Sequence, residues 1–380
     1  QQSITEDRAS GAQVINGSCN FTTVGTDFAS GNYLIRTPTS IGNVDKWTWS
    51  GWVKRSGLYS NGNNMFAAFV DDSNRDTIRF GGLSADCFEY QNRDGGTNYG
   101  NRTDAVYRDV NGWYHTVVVY DSAAGSGSRV KYYINGSQVT ALTNQAGGEI
   151  SSGQDSHINT TSVHYLGARK SGFPVVEGSL DGYMSQVYLI DGQALDASYF
   201  GFTDPLTNEW RPKKYVKPSS YTDLNNGKDW TNTAVSGVSG WTQALAQGFN
   251  GSLSNAAEGN TSGETATITL GQDVTIAAGG VGVYTWVTSG NPLVFELKLD
   301  GVVKETVNQG SSGGQWYHSS SYAGDIDSIT IARTGRAPEW GAIQINGQRL
   351  IDSYSDPEGW GINGFYLPFD GNTAIGVDQS

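Results

Sequence analysis

Carboxylates, imidazoles and loop aromatics are the side chains in this chain that could do chemistry, and their spacing limits what that chemistry is. Asp325 and Asp327 flank one residue in a strand-like run, which puts both on one face about 7 Å apart at about 3.3 Å per residue. Such a pair could act in glycosyl transfer, but it also reads as the solvated start of a strand. Glu296 and Asp300 share a strand parity and would stand about 13 Å apart, too far for a retaining pair. The histidines His115, His157, His164 and His318 show no metal-ligand spacing. His115 and His318 recur in matching Trp-Tyr-His triplets, 113–115 and 316–318, which read as structural pairing at similar strand starts or as coincidence. Asp71 and Asp72 sit together in a turn (VDDSNRD), where paired carboxylates suit a hard cation or simply a polar turn. Tyr59 (GLYSNGNN), Tyr99 (GGTNYGNR) and Phe173 (KSGFPVV) fall in turn-rich segments. A ring beside Asn, Asp and Arg is what a sugar site uses, stacking on an apolar ring face while polar groups read hydroxyls. The competing role for each is to plug the end of a sandwich or to contact a neighbouring subunit.

The elements that would position these residues are strands. Residues 113–120 (WYHTVVVY), 130–134 (VKYYI), 187–190 (VYLI), 266–270 (ATITL), 293–299 (LVFELKL) and 328–331 (SITI) are short, β-branched and aromatic. Most alternate apolar and polar positions, the pattern of a strand with one buried face. Asn135-Gly136, Asp191-Gly192, Asp300-Gly301 and Asn346-Gly347 tolerate the positive φ of a type I′ turn and mark hairpins or tight corners. No stretch keeps a helical period for three turns, and residues 196–201 offer one helical turn at most. Trp47, Trp49, Trp113, Trp286 and Trp316 are assigned to cores, with Trp47 and Trp49 facing the same side by parity. The chain is all-β, built as sandwiches or barrels.

Composition closes off other classes. The 380 residues carry 24 Lys+Arg against 37 Asp+Glu, a formal charge of −13, and no basic cluster, so nucleic acid is not an expected partner. No apolar run approaches the roughly 20 residues a bilayer span needs, so membrane insertion is not expected. The opening QQSITEDRAS shows no signal peptide. Glycine, at 51 residues, is at about twice ordinary usage. Residues 1–215 hold 21 acidic and 17 basic side chains, net −4, while residues 216–380 hold 16 and 7, net −9. A boundary near Lys217-Pro218-Ser219-Ser220 fits that shift. Cys19 and Cys87 are too few for a disulfide framework; they could pair or remain reduced. Seven Asn-x-Ser/Thr sequons, at Asn16, Asn20, Asn101, Asn135, Asn159, Asn250 and Asn260, matter only in a eukaryotic secretory pathway.

Three segments together resemble the laminin-G-like branch of the concanavalin A-like jelly rolls: residues 47–55 (WTWSGWVKR), 112–139 (GWYHTVVVYDS, then RVKYYINGSQV) and 180–195 (LDGYMSQVYLIDGQAL). Order and spacing agree over about residues 25–200. Residues 6–15 (EDRASGAQVI), 33–40 (YLIRTPTS) and 363–372 (NGFYLPFDGN) further resemble the variant found in virion proteins of marine bacteriophages. In that pattern EWRPKKY (209–215) is followed closely by NGFYLPFD, whereas here about 140 residues intervene. The resemblance therefore implies a host jelly roll at 25–215 behind an N-terminal arm (1–24), with a second, smaller β-sandwich at 221–352. That guest ends in AIQINGQRLID (342–352), similar to the last strands of galactose-binding-like sandwiches. Residues 353–380 would then return to the host, and the family pattern would continue beyond Ser380.

Glucanases of the same superfamily are similar to one another in a Glu-x-Asp-x-Glu strand motif, which this chain lacks, so the expectation is not an enzyme. Laminin-G-like domains often hold Ca²⁺ at a loop edge, which implies Asp71 and Asp72 as its ligands and Ca²⁺ as the one cofactor in view. The function this implies is a glycan-recognising adhesin or tail-fibre component on the virion surface or outside the cell, with Tyr59, Tyr99 and Phe173 touching a host surface polysaccharide. The alternative is a capsid decoration or filament subunit whose partners are other copies or virion proteins. Either way a homo-oligomer is expected, because single sugar sites bind weakly and gain from avidity.

Overall fold

The computed structural model describes residues 15–22, 32–58, 63–81, 86–170, 176–287, 291–309, 313–372 and 374–380. Two compact units form, one from residues 1–219 together with 360–380 and the other from residues 220–359. Tyr59 and Phe173 lie outside the described residues.

In chain order the first unit runs β1 (Cys19–Phe21), β2 (Leu34–Arg36), β3 (Lys46–Arg55), β4 (Asn63–Asp71), β5 (Asn74–Phe80), β6 (Cys87–Asp94), β7 (Thr97–Val106) and β8 (Tyr114–Asp121). It continues through β9 (Val130–Ile134), β10 (Ser137–Val139), β11 (Leu142–Asn144), β12 (Val163–Leu166), β13 (Arg169–Lys170), β14 (Val176–Glu177) and β15 (Gly182–Asp191), then the hairpin β16 (Gly201–Thr203) and β17 (Trp210–Pro212). One sheet has the order β1-β15-β3-β8-β9-β10, with Phe365–Leu367 also paired to β15; the other is β11-β7-β6-β5-β4-β12-β2. Between them lies a core in which Trp47 stacks on Tyr120 at 5.3 Å and meets Tyr90 edge-on at 5.4 Å. Trp47 and Trp49 are both in this core, on one side of β3 as their parity requires. Each buried ring contributes roughly 1.5–3 kcal/mol.

The outer face of the first sheet is covered as well. Val117, Val119, Tyr188 and Ile190 pack under Leu195, Ala197, Phe200 and Tyr215. That cover begins with a single 3₁₀ turn, Ala197–Tyr199, capped by the Asp196 carboxylate, which accepts from Ser198 N. Asn135, Asp300 and Asn346 have φ of 48°, 52° and 51°, each followed by a left-handed glycine, and they turn the hairpins predicted for them. Asp191-Gly192 instead closes β15 as a corner. Cys19 and Cys87 are buried free thiols, in β1 and β6, which belong to opposite sheets.

The second unit carries a short α-helix, Trp230–Thr233, and a 3₁₀ segment, Leu245–Phe249. Its strands are β18 (Val235–Ser236), β19 (Trp241–Gln243), β20 (Ala257–Gly259), β21 (Ala266–Ile276), β22 (Val281–Val287), β23 (Leu293–Leu299) and β24 (Val302–Gln309). Then follow β25 (Gly313–His318), β26 (Gly324–Arg333), β27 (Glu339–Trp340), β28 (Ala342–Ile345) and β29 (Gln348–Arg349). They form sheets β18-β21-β26-β23-β24, β19-β20-β27 and β25-β22-β28-β29 around a core that includes Phe249, Phe295, Ile329, Trp340 and Ile343.

Three of the tryptophans assigned to cores are not there. Val281, Val283 and Tyr317 take the inward positions of β22 and β25, so alternation turns Trp286 and Trp316 outward, half-buried beside Tyr284. Trp113 is half-buried ahead of β8. The two Trp-Tyr-His triplets do not open similar strands, since 113–115 leads into β8 whereas 316–318 closes β25.

One buried ion pair anchors a corner of the first unit. Arg55, fully buried, donates to Asp86 Oδ1 at 2.9 Å and to Tyr107 O at 2.5 Å, and its guanidinium lies 5.2 Å from the Phe80 ring centre. Arg108, exposed, donates to Asp86 Oδ2 at 2.9 Å. Burial works against the Asp86 charge, but hydrogen bonds from Arg108 and Arg55 outweigh it and hold the carboxyl below its ordinary range. Asp86→Asn keeps a residue that tolerates the local φ of 68° and removes only the charge. The expected loss is about 3 kcal/mol in urea denaturation, because the buried guanidinium is left uncompensated. Arg108→Gln should cost under about 1 kcal/mol, as for an exposed pair.

Candidate functional site

The second sheet of the first unit has one face against the core and one turned away from it. Phe66, Ala68, Ile78, Phe80, Phe88, Tyr90, Leu34 and Leu166 are core residues, so their neighbours along each strand face outward. Three cross-strand rows result. Asn98, Arg93, Arg75, Phe69 and Val163 form the first. Gly100, Gln91, Thr77, Ala67, Tyr165 and Ile35 form the second. Arg102, Glu89, Arg79 and Asn64 form the third.

The middle row is a floor: Ala67, Thr77 and Gln91 are buried, while Arg75, Arg93 and Arg102 stand half-exposed around them. Gly100 keeps the floor regular, since its φ is +103° and a Cβ there would lie 2.6 Å from Tyr90 O. At one end Tyr33, 38% exposed, packs at 5.9 Å and a tilt of 52° against Tyr165, beside the exposed Ile35. Lys170 sits 5.1 Å from the centre of the Phe69 ring. In the third row Arg79 pairs with Glu89, whose Oε2 also accepts from Gln145 Nε2 at 3.3 Å. Thr77 Oγ1 and Gln145 Oε1 are buried with no hydrogen-bond partner within the protein, although buried polar atoms are nearly always satisfied.

Of the predicted site residues, Tyr99, Asp71 and Asp72 are described, and they lie off this face's floor. Tyr99 lies within β7 rather than in a loop, opposite Asn92, and packs half-buried against the core. The turn before it is Gly95-Gly96, and the strand begins at Thr97. Asp71 and Asp72 are exposed in the β4–β5 turn. Asp71 accepts from Ser73 N at 2.7 Å and Asn74 Nδ2 at 2.9 Å, and these bonds hold its carboxyl below the ordinary range. Among the described residues no group of three or more His, Cys, Asp or Glu could hold a metal ion. Asp325 accepts from Thr275 Oγ1 and Asp327 from Asp300 N, both as strand-surface groups.

A cavity of about 450 Å³ also opens at the edge of the sandwich, lined by Leu34, Arg36, Phe66, His164, Leu189 and Phe365 among others. Most of its polar groups satisfy one another, although Asn159 Oδ1 is buried without a hydrogen-bond partner. Arg36 Nη1 donates to Asn363 O at 3.1 Å, His164 Nδ1 donates to Ser162 O at 2.9 Å, and Asn159 N donates to His164 Nε2 at 3.1 Å. The outward sheet face, which adds half-exposed cations and an exposed ring to its polar floor, is the better candidate.

Two buried histidines give the unit a pH response. His115 accepts from Trp210 Nε1 at Nδ1 and shares a 2.9 Å bond between Nε2 and Ser50 Oγ. Burial lowers its pKa to about 3, and burial likewise lowers that of His164 to about 4. Each would lose an accepted hydrogen bond on taking a second proton. The unfolded chain binds these protons near pH 6.5 and the folded chain does not, so stability is fully present above pH 6.5 and falls as the pH drops toward 4. The expected record is a melting temperature that declines from pH 7 to pH 4.5. His115→Gln, which can donate and accept at the same place, should flatten that slope by up to one proton's share.

No helix among the described residues is long and apolar enough to cross a membrane. Residues 28–197 match the family described as the concanavalin A-like lectin/glucanases superfamily. The first unit has the concanavalin A-like, laminin-G-like jelly-roll fold. No curated protein matches the chain. Among solved structures, a heptameric SAP-like pentraxin from Limulus polyphemus is 18% identical, covering 48% of this chain and 80% of that one with a TM-score of 0.32. A putative carbohydrate binding protein from Bacteroides ovatus is also 18% identical, over 54% of this chain and 52% of that one, TM-score 0.34. The enzymatically active domain of tailspike protein 2 from bacteriophage CBA120 is 13% identical, over 50% and 31%, TM-score 0.31. Likenesses at this level carry no argument about function.

Proposed function

We propose that this chain is a non-enzymatic glycan-recognising protein whose first unit binds polysaccharide on the outward face of its second sheet. The observation that carries the reading is the build of that face: half-exposed arginine donors around a polar floor, and an exposed ring at one end. Donors for hydroxyls beside a ring for the apolar sugar face are what carbohydrate sites combine. The match to a superfamily of lectins and glucanases supports it. Hydrolysis would need two free carboxylates across the bond, and Glu89 at the centre is tied to Arg79 and Gln145.

The rest of the proposal is a setting: a virion-surface or extracellular adhesin or tail-fibre component, assembled as a homo-oligomer. The second unit is read as an inserted galactose-binding-like guest, which the division at residues 219 and 360 supports. An assembly role, as capsid decoration or filament subunit, is favoured by one feature. The edge strand β24 presents Val302 and Val303 at 58% and 43% exposure, a template for pairing with another copy.

Affinity electrophoresis of the full chain through gels carrying a panel of polysaccharides tests the glycan reading. Retardation by at least one is expected, with no new reducing ends released. Tyr33→Ala should weaken that retardation about 2- to 10-fold, the worth of one stacked ring. A chain that migrates unretarded through every gel, alone or assembled, sinks the reading.

A further inference from the structure

We infer that the cavity at the edge of the first unit's sandwich binds an amphipathic small molecule, an aliphatic chain ending in a carboxylate, with the chain between the sheets and the carboxylate on Arg36. This does not rest on the glycan reading. Both sheets supply the walls: Leu34, Phe66 and Leu166 from one, Leu189, Phe365 and Leu367 from the other. Phe66, Leu166, Leu189 and Phe365 are core residues, with Leu34 and Leu367 half-buried against them. Interiors are normally close-packed, yet these walls enclose about 450 Å³. That is the size of a small-molecule site, which is mostly apolar with a few placed polar groups. The walls are also fixed in advance. Asn363 N donates to Asp191 Oδ2 at 2.9 Å, and Asn363 Nδ2 donates to Ser40 O at 3.0 Å and Asn159 O at 3.1 Å. Gln379 N donates to Tyr366 O at 2.9 Å, which folds the closing residues back so that Ile375 and Gly376 line the mouth.

The deep polar groups offer a ligand little. His164 is kept neutral by burial, and its two ring nitrogens are taken by Ser162 O and Asn159 N. Asn159, whose Oδ1 lacks a partner, is itself fully buried. A sugar would need readers for its hydroxyls, whereas an aliphatic chain needs none. The charged residues lining the cavity are Arg36 and Asp378, both exposed and so at its mouth. Asp378 Oδ1 already accepts from Tyr366 N and Ser380 N, both at 3.0 Å. Among the described residues Arg36 makes one hydrogen bond, from Nη1 to Asn363 O at 3.1 Å, and its guanidinium lies 5.8 Å from the Phe365 ring centre. Stacked in this way, it keeps Nε and Nη2 for a carboxylate, whose oxygens match the planar fork. Ile35 and Ile375, at 64% and 68% exposure, line the same mouth and are two of the three most exposed large apolar side chains among the described residues. An apolar slot with an apolar rim and one cation with donors to spare fits an anionic amphiphile.

The test titrates the full chain with cis-parinarate, a fatty acid that fluoresces in apolar surroundings, and displaces it with laurate, dodecanol or dodecyltrimethylammonium below their micelle-forming concentrations. A saturable signal is expected, with laurate displacing at about 10-fold lower concentration than dodecanol, the scale of a charge-assisted hydrogen bond, and the cationic amphiphile weakest. Arg36→Gln should raise the laurate concentration needed by about 10-fold and leave that of dodecanol unchanged. Leu34→Trp, which puts a ring into the space from its half-buried edge, should abolish the signal in a chain whose melting curve shows it folded. Should that variant fail to fold, Arg36→Gln decides alone, since its side chain is exposed. No saturable signal overturns the proposal, as does displacement by dodecanol or the cationic amphiphile equal to that by laurate. A folded Leu34→Trp chain that binds the probe unchanged places the site elsewhere and overturns it too. None of these results bears on retardation by polysaccharide, so the glycan reading stands or falls separately.

Discussion

The alternation of the four strands β4–β7 is the constraint on which the rest of the first unit depends. Outward arginines are placed by the inward residues next to them: Arg79 by Ile78 and Phe80, Arg93 by Asn92, which is pinned to Asp76 at 2.9 Å. A slip of one residue would drive arginines into a core built on Trp47, Tyr90 and Tyr120 and turn those strands' rings outward. Asp76 reinforces the register, because Tyr90, Asn92, Ser156, His157 and Ile158 all donate to its carboxylate. The charged face therefore needs no separate device to hold it. It is the reverse side of a core whose inward pattern is already over-determined.

That arrangement also explains why the two sheets differ in use. The first is closed on both sides, by the shared core and by the segment around Phe200 and Tyr215. Thr48 and Ser50 stand on its covered face beside Val117, Val119 and Tyr188, and each finds a partner. The second sheet has no such apolar cover in the described residues, and its outward positions are filled by long cations and a polar floor.

Much of the fold was legible in the sequence. The strands at 130–134 and 293–299 appear with the same bounds, the one-turn helix appears at 197–199, and three Asn-Gly or Asp-Gly signals became hairpins. Period-two alternation and turn chemistry are local, so a single chain carries them. What misled was parity where both faces held large residues. Trp286 and Trp316 look like core residues by type, but Val281, Val283 and Tyr317 already occupy the inward side. Tyr99 was misplaced by one turn, because Gly95-Gly96 ends the loop before it. The arginine face was missed for a different reason: Arg75, Arg79, Arg93 and Arg102 stand up to 27 positions apart in the chain and become neighbours only through register. A signal was present, since DTIRF and the NRD and NRT stretches alternate charge with apolar or small residues, yet none of it says which strands pair.

The same point corrects the use of net charge. An overall −13 describes the chain at distances beyond a Debye length, about 8–10 Å at ordinary salt. The excess of negative charge beyond residue 215, net −9, lies in the second unit and the closing segment. Composition had argued against nucleic acid because no basic run exists in sequence. Strand register gathers Arg75, Arg79, Arg93 and Arg102 onto one face without any basic run in the sequence, so composition alone says little about the partner such a face would meet.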